Sequence, residues 1–215
     1  MLPRTRERMI NAFKENKGYM SFKQLQEKGV TVLQIREMEE AGVLEKFARG
    51  WYWCNECGYT KPVDHKYVEI AKLNPRAVIC MESACYLGGI IEEEPEEICL
   101  ATERTDRKKM ELEFATKRFY FKQTGIKGEI VEKKTKCGSY FYYSPERTFC
   151  DCIRLQSKID PDIYEQILEQ YREQHGRFKR LYEYADMLRC IKNIREADEI
   201  VEQMCAGGGT EGCIA

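Results

Sequence analysis

Cysteine is the residue type whose number and spacing first suggest chemistry in this chain. Eleven cysteines occur in 215 residues, and Cys54-Asn-Glu-Cys57 has the spacing of half a structural zinc site. A structural site needs four ligands, but no second Cys-x-x-Cys pair follows, and the only histidines are His65 and His175. We therefore expect mostly free, buried thiols, with no metal and no cofactor; zinc at Cys54 and Cys57 is the alternative.

Residue types that catalyse reactions are present, but their spacing does not indicate an enzyme. Gly138-Ser139 could begin a nucleotidyltransferase motif, yet no Asp-x-Asp pair follows to hold magnesium. Two groupings resemble the acids and lysines of a nuclease: Glu103, Asp106 and Lys108, and Glu132 with Lys134. We expect these to lie on solvated loops and strands, and we predict a protein without catalytic activity. A magnesium nuclease built on the C-terminal sheet is the alternative.

The composition is that of a protein with a hydrophobic core. Apolar residues make up 43% of the chain and charged residues 33%. The 35 Lys and Arg nearly balance the 36 Asp and Glu, which argues against a protein that coats nucleic acid. The apolar runs are too short to cross a bilayer, and residues 1–10 lack the apolar segment of a secretory signal. We expect a cytoplasmic protein.

Residues 1–53 have the pattern of three short helices followed by a hairpin. Residues 6–16 are amphipathic, and both Ser21-Phe-Lys-Gln24 and Thr31-Val-Leu-Gln34 are capping boxes. Ala48-Arg49-Gly50 has the composition of a tight turn between two strand-like runs. This order predicts a winged helix-turn-helix, with helices near 5–16, 21–28 and 31–41 and a hairpin near 43–53.

A winged helix predicts a surface for double-stranded promoter DNA. Residues 1–53 contain ten Lys and Arg against seven Asp and Glu, a net charge of +3. Lys and Arg supply phosphate contacts, whereas polar side chains on the third helix can reach base edges in the major groove. The candidate contacts are Arg4, Arg6, Lys23, Thr31, Gln34, Arg36, Lys46 and Arg49. Arg49, at the predicted hairpin tip, is the strongest of these candidates.

The charge of the third predicted helix favours an alternative. Arg36 is its only cation, and the three glutamates that follow are Glu37, Glu39 and Glu40. An acidic helix is a poor surface for phosphate. The alternative function is therefore a winged-helix module that binds proteins and not specific DNA.

The remaining chain predicts an α/β domain and two irregular segments. Residues 54–64 lack an apolar period and form the expected linker, and the glycine-rich residues 205–215 form an expected flexible tail. Between them, residues 65–204 predict a small mixed sheet followed by a cluster of C-terminal helices. The overall fold class is therefore α+β, with a winged helix at 1–53.

Four stretches of the sequence have the order and spacing of one known family. They are Gly18-Tyr-Met-Ser-Phe-Lys-Gln-Leu25, Gly42-Val-Leu-Glu-Lys-Phe-Ala-Arg-Gly-Trp-Tyr52, Ala77-Val-Ile-Cys-Met-Glu-Ser-Ala-Cys-Tyr-Leu-Gly-Gly89 and Ser144-Pro-Glu-Arg-Thr-Phe-Cys-Asp-Cys-Ile-Arg154. From about Arg6 to Met204 the chain resembles the AbiEi-type antitoxins of bacterial type IV toxin–antitoxin systems. The last two stretches together are the most specific.

The resemblance implies a role in phage defence. It implies a winged helix that binds the operon's promoter, and a C-terminal domain that counters a nucleotidyltransferase-like toxin from the same operon without a stable complex. Arg147 and Asp151 lie four residues apart in the most family-like stretch. We expect them to form an ion pair along a helix. The resemblance also makes them candidates for an antitoxin surface.

Overall fold

The computed structural model describes residues 2–174 and 180–207, and the chain divides into two compact units. The first unit comprises Met1–Ala77, Asp106–Ala115 and Glu132–Tyr140, and the second comprises Val78–Thr105, Thr116–Val131 and Phe141–Ala215. The domains predicted at 1–53 and 65–204 stay predictions, because compactness alone does not identify segments that fold independently. Among the described residues, no helix is both long and apolar enough to cross a bilayer.

The first unit begins with three helices and a hairpin. Its elements are α1 (Pro3–Glu15), β1 (Tyr19–Ser21), α2 (Phe22–Glu27), α3 (Val32–Glu40), β2 (Leu44–Ala48), β3 (Trp51–Cys54) and α4 (His65–Leu73). Both predicted capping boxes are present: Ser21 and Thr31 cap α2 and α3, and each is bonded reciprocally to a glutamine. The predicted helices and hairpin are therefore confirmed as elements, with ends that differ from prediction by a few residues.

The strands of the first unit form an antiparallel sheet in the order β1-β3-β2. Tyr19 pairs with Trp53, and the β2–β3 register shifts between Lys46 and Ala48, as in a β-bulge. Beyond the bulge, Ala48 forms an antiparallel bridge with Leu112. Segment 106–115 is thereby attached to the edge of the hairpin.

The second unit contains most of a larger sheet and the remaining helices. The elements from residue 78 onward are β4 (Val78–Ile79), α5 (Met81–Leu87), β5 (Ile98–Thr102), β6 (Thr116–Tyr120), β7 (Ile130–Lys134), β8 (Ser139–Tyr143), α6 (Pro145–Arg154), a 3₁₀ turn (Gln156–Lys158), α7 (Pro161–Gln174), α8 (Leu181–Met187) and α9 (Ile191–Gly207). The strand order is β6-β5-β4-β8-β7. Because β4 pairs antiparallel with β5 and parallel with β8, the predicted mixed sheet is confirmed.

Helix α6 lies at the centre of the second unit. Ser144 caps it by accepting a hydrogen bond from the Arg147 amide, and Pro145 occupies its first turn, as predicted. Phe149 is fully buried, and its ring lies 5.3 Å from that of Tyr171 on α7. Apolar burial along α6 therefore holds the C-terminal helices against the sheet.

Two predictions fall at the limits of the described chain. Helix α9 continues to Gly207, into the segment expected to be a tail at 205–215. The rest of that tail and His175 lie outside the described residues.

Candidate nucleic-acid interface

The first turn of α3 is held by hydrogen bonds between its own candidate residues. The Thr31 hydroxyl accepts a hydrogen bond from the Gln34 amide at 3.3 Å, and the Gln34 side-chain oxygen accepts one from the Thr31 amide at 3.0 Å. The cap therefore leaves Gln34 the N–H donors of its side-chain amide for contact with a base or a phosphate.

The charge of Arg36 is shared with a neighbouring acid. Its Nε donates to Glu40 Oε1 at 2.9 Å, one turn along the exposed side of α3. Exposed pairs of this kind are weak, about 0.3–0.5 kcal/mol, so a phosphate or guanine could replace Glu40 at little cost. In the free protein, however, α3 presents little positive charge.

Two apolar side chains are exposed at the start of α3. Val32 and Leu33 are each 66% exposed. Side chains of this size can contact a thymine methyl group, but they also suit a protein partner.

Arg49 lies in a basic cleft beside the hairpin. The cleft has a volume of about 280 Å³ and is lined by Ala48, Arg49, Trp51, Leu73, Lys108, Lys109 and Glu111. Three of these residues are cations and one is an acid. The cleft is therefore positively charged, which suits phosphate.

Segment 106–115 supplies three of the seven residues that line this basic cleft, and hydrogen bonds within the first unit hold the segment in place. Asn74 Nδ2 donates to Asp106 Oδ2 at 2.6 Å, and Asp106 Oδ1 accepts from the Lys108 amide at 2.9 Å. The Asp106 carboxylate is buried and shapes the loop. The expectation that this acid lies on a solvated face is thus wrong, because Asn74 draws the carboxylate inward.

Lys109 is a candidate residue that was not among the sequence-predicted contacts. The available signal was the run Arg107-Lys-Lys109, three cations in succession. Its place beside Arg49 depends on the bridge between Ala48 and Leu112, two residues that are far apart in sequence.

The other predicted DNA contacts do not gather in the basic cleft. Arg6 Nη2 lies 2.6 Å from a Glu56 carboxylate oxygen, and Arg4 lines a separate cleft of about 660 Å³ on α1 together with Arg8 and Lys28. Lys23 on α2 and Lys46 on β2 are exposed. Of the eight predicted contacts, only Arg49 lines the basic cleft.

Cys54 and Cys57 are both buried at the end of β3. The Cys57 thiol donates to the Cys54 carbonyl oxygen at 3.0 Å, and burial raises the pKa of the Cys54 thiol from 9.0 to about 11. The nine cysteines with described side chains are free thiols. Over residues 2–174 and 180–207, no three His, Cys, Asp or Glu side chains come together as a metal ion would require.

The predicted ion pair between Arg147 and Asp151 is present, but it is not on a surface. Arg147 Nε lies 2.7 Å from Asp151 Oδ2, and both side chains are 0% exposed. A second carboxylate, that of Glu129, binds the Arg147 guanidinium, and the Tyr143 ring lies 4.6 Å from its Cζ. The candidate antitoxin surface at these two residues is therefore wrong: the neighbouring strand and loop bury the charged groups.

No family model and no curated protein matches the sequence. The structure is similar to a crystal structure of the RV2827C protein from Mycobacterium tuberculosis, with a TM-score of 0.54. The two sequences are 13% identical, and the similarity covers 80% of this chain and 72% of that chain. At this level of identity the two chains are similar in fold alone.

Proposed function

We propose that this chain is the antitoxin of a type IV toxin–antitoxin system, which binds its own promoter through a winged helix at residues 1–53. In this proposal α3 is the recognition helix and β2–β3 is the wing. The resemblance to AbiEi-type antitoxins and the order of helices and hairpin support it. The observation that carries the DNA-binding part is the basic cleft, where Arg49 lies with Lys108 and Lys109 beside the wing.

Charge explains why the wing, and not α3, supplies the affinity. Helix α3 pairs its only cation with Glu40 and carries two further glutamates. Attraction to phosphate therefore comes from the wing side, and α3 contributes the polar groups of Thr31 and Gln34. This division predicts moderate affinity with a strong dependence on salt.

Binding to the DNA upstream of the gene tests the repressor function. Fluorescence anisotropy with that duplex, at two salt concentrations and with unrelated competitor DNA, separates specific from general binding. We expect binding that survives the competitor and weakens as salt rises. Equal affinity for both duplexes, or binding to neither, would contradict the repressor function.

The antitoxin function needs its own experiment. A nucleotidyltransferase-like protein encoded beside the gene should stop growth when expressed alone, and co-expression of this chain should restore growth. An Arg49→Ala variant should still restore growth, because the proposed DNA contact is separate from the antitoxin activity. Failure of the wild-type chain to restore growth would contradict the antitoxin function.

The exposed pair Val32 and Leu33 favours a second candidate function, a protein-interaction module that keeps the fold without specific DNA binding. Apolar residues of this size at the start of an acidic helix suit a protein partner better than phosphate. A double substitution, Val32→Ser with Leu33→Ser, would then abolish binding to a protein partner. If the same double substitution leaves promoter binding unchanged, α3 does not enter the major groove of the DNA.

A further inference from the structure

A second positively charged cleft lies in the other unit, along β6, which is an edge strand of the five-stranded sheet. Its volume is about 370 Å³, and its lining is Lys117, Arg118, Phe119, Tyr120, Phe121, Arg154, Leu155 and Lys158. Four of these residues are cations and none is an acid. Since the whole chain has a net charge of −1, this concentration of positive charge is local. We call this site the β6 cleft.

The cations of the β6 cleft are held in position by the fold. Lys117 Nζ donates to the Lys158 carbonyl oxygen at 2.9 Å, which ties the strand to the 3₁₀ turn. The Arg154 guanidinium donates to Asp151 at 2.7 Å, and Asp151 is itself fully buried against Arg147. A buried carboxylate thus orients Arg154, which lines the cleft and remains 25% exposed.

Aromatic rings alternate with these cations. Lys117 Nζ lies 5.7 Å from the centre of the Phe119 ring, and Lys158 Nζ lies 5.9 Å from the same ring. The Arg154 guanidinium carbon lies 5.0 Å from the Phe121 ring. Tyr120, by contrast, is 58% exposed and offers an accessible ring. Phosphate-binding groups and a stacking surface therefore occur in one cleft.

We propose that the β6 cleft binds a nucleoside phosphate, with its phosphates on Lys158 and Arg154 and its base stacked on Tyr120. Arginine and lysine are the side chains that bind phosphate, and an aromatic ring stacks on a base of any sequence. The nucleotide can be free or the end of a single strand. The site is independent of the proposed promoter contact, which involves only the first unit.

An acidic peptide is a second kind of anionic ligand that a positively charged cleft could bind, but the size of the β6 cleft argues against it. A peptide that adds to an edge strand occupies a long groove and bonds to successive backbone groups. The cleft instead has a volume near the lower end of the range of about 300–1,000 Å³ that is usual for small-molecule sites. One nucleotide matches that size. The Tyr120 ring can stack on a base, whereas the glutamate side chains of an acidic peptide would not stack on it.

Calorimetric titration of the full chain with three probes tests the proposal. The probes are ATP, inorganic triphosphate and a single-stranded oligo(dT) of about ten nucleotides. We expect ATP or the oligonucleotide to bind, and to bind more tightly than triphosphate because only they carry a base. Tighter binding of ATP identifies a free nucleotide as the ligand, and tighter binding of the oligonucleotide identifies a strand end.

Matched variants locate the binding. Lys158→Glu should weaken nucleotide binding by at least about tenfold, or about 1.4 kcal/mol. Lys192→Glu changes the charge of the chain by the same amount on α9, where Lys192 is 90% exposed, and should have no such effect. Tyr120→Ser should weaken binding of the nucleotide but not of triphosphate. Circular dichroism and thermal unfolding check that each variant is folded.

Four results would overturn the proposal. The first is no binding by any of the three probes. The second is equal affinity for triphosphate and ATP, which would identify a phosphate site without base stacking. The third is that Lys158→Glu and Lys192→Glu weaken nucleotide binding equally, which would indicate that the overall charge of the chain attracts the nucleotide. Binding of a polyglutamate peptide in place of the nucleotides would likewise assign the cleft to an acidic protein segment.

Discussion

Arg147 and Asp151 form an ion pair in the interior of the second unit, 2.7 Å apart and with neither side chain exposed. Removing Asp151 leaves the buried Arg147 guanidinium with one carboxylate, that of Glu129, in place of two, and it also removes the acid that pairs with Arg154, so the positive charge of the cluster is no longer balanced. We therefore expect Asp151→Ala to lower the free energy of unfolding by about 3–5 kcal/mol, measured by urea denaturation.

The exposed pair of Lys192 and Glu196 is a matched control, because it has the same helical spacing on α9 and a separation of 3.6 Å. Glu196→Ala should change the free energy of unfolding by less than about 1 kcal/mol. If Asp151→Ala and Glu196→Ala lowered the free energy of unfolding by similar amounts, burial would not be what makes the pair at Asp151 important.

Gly18 should tolerate no side chain. Its φ is +90°, and a Cβ atom there would lie 2.1 Å from the Trp53 ring. Gly29 has a similar φ of +75° with no atom within 4 Å of a Cβ, so Gly29→Ala should cost only the conformational penalty of about 1–2 kcal/mol. Gly18→Ala should lower the melting temperature by clearly more than Gly29→Ala does. Equal shifts in thermal unfolding would mean that the Trp53 ring moves aside at little cost.

Arg49 and Arg36 should affect DNA binding differently. Arg49→Ala should weaken binding to all sequences alike and flatten the plot of log affinity against log salt by about one unit, because it removes a phosphate contact. Arg36→Ala should cost about 1–3 kcal/mol at one base position and relax specificity there. Anisotropy titrations with a panel of single-base operator variants distinguish the two effects. If neither substitution alters binding, this face of the first unit does not contact DNA.

Lys109→Ala should behave like Arg49→Ala, since both residues line the basic cleft. Lys14→Ala removes an exposed cation from α1, away from this cleft, and serves as the control. A loss of affinity in the control as large as in Lys109→Ala would mean that overall charge, and not the cleft, attracts DNA.

The stability that the buried Cys54 thiol contributes should be lost as the solution becomes alkaline. Burial raises the pKa of this thiol from 9.0 to about 11, so the folded state keeps a proton that the unfolded chain loses. The contribution of this thiol to stability is complete below pH 9, falls between pH 9 and pH 11, and is constant above. Two pKa units correspond to roughly 2–3 kcal/mol.

Urea denaturation between pH 8 and pH 11 measures this dependence on Cys54. Cys54→Ser removes the titrating thiol but keeps a polar group, so the decline in unfolding free energy should be shallower. An identical decline in the wild-type chain and the variant would assign the alkaline sensitivity to other groups.

Local patterns in the sequence predicted most of the individual elements. The capping boxes at Ser21 and Thr31 and the Ser144-Pro145 start of α6 act between residues a few positions apart, so the sequence displays both partners. The strands at 98–102 and 139–143 could likewise be predicted from their apolar and aromatic residues.

Contacts between distant segments could not be predicted in this way. The pairing of Arg147 with Asp151 follows from helical spacing, but the second carboxylate bound to Arg147, that of Glu129, lies on another segment. The basic cleft likewise depends on the bridge between Ala48 and Leu112. A single sequence contains no periodic signal for such pairings, so the site was predicted only at Arg49.

The segment Glu132–Tyr140 completes the first unit late in the chain. The Tyr140 hydroxyl donates to Asp64 at 2.8 Å, and its ring lies 5.3 Å from that of Tyr67 on α4. During translation, residues 1–77 leave the ribosome long before Tyr140 is made. Helix α4 therefore lacks its contact with Tyr140 while the intervening strands are synthesised. Maturation of the N-terminal part is thereby coupled to synthesis of the middle of the chain, and a ribosome that stops before Tyr140 releases a product with an unfinished first unit.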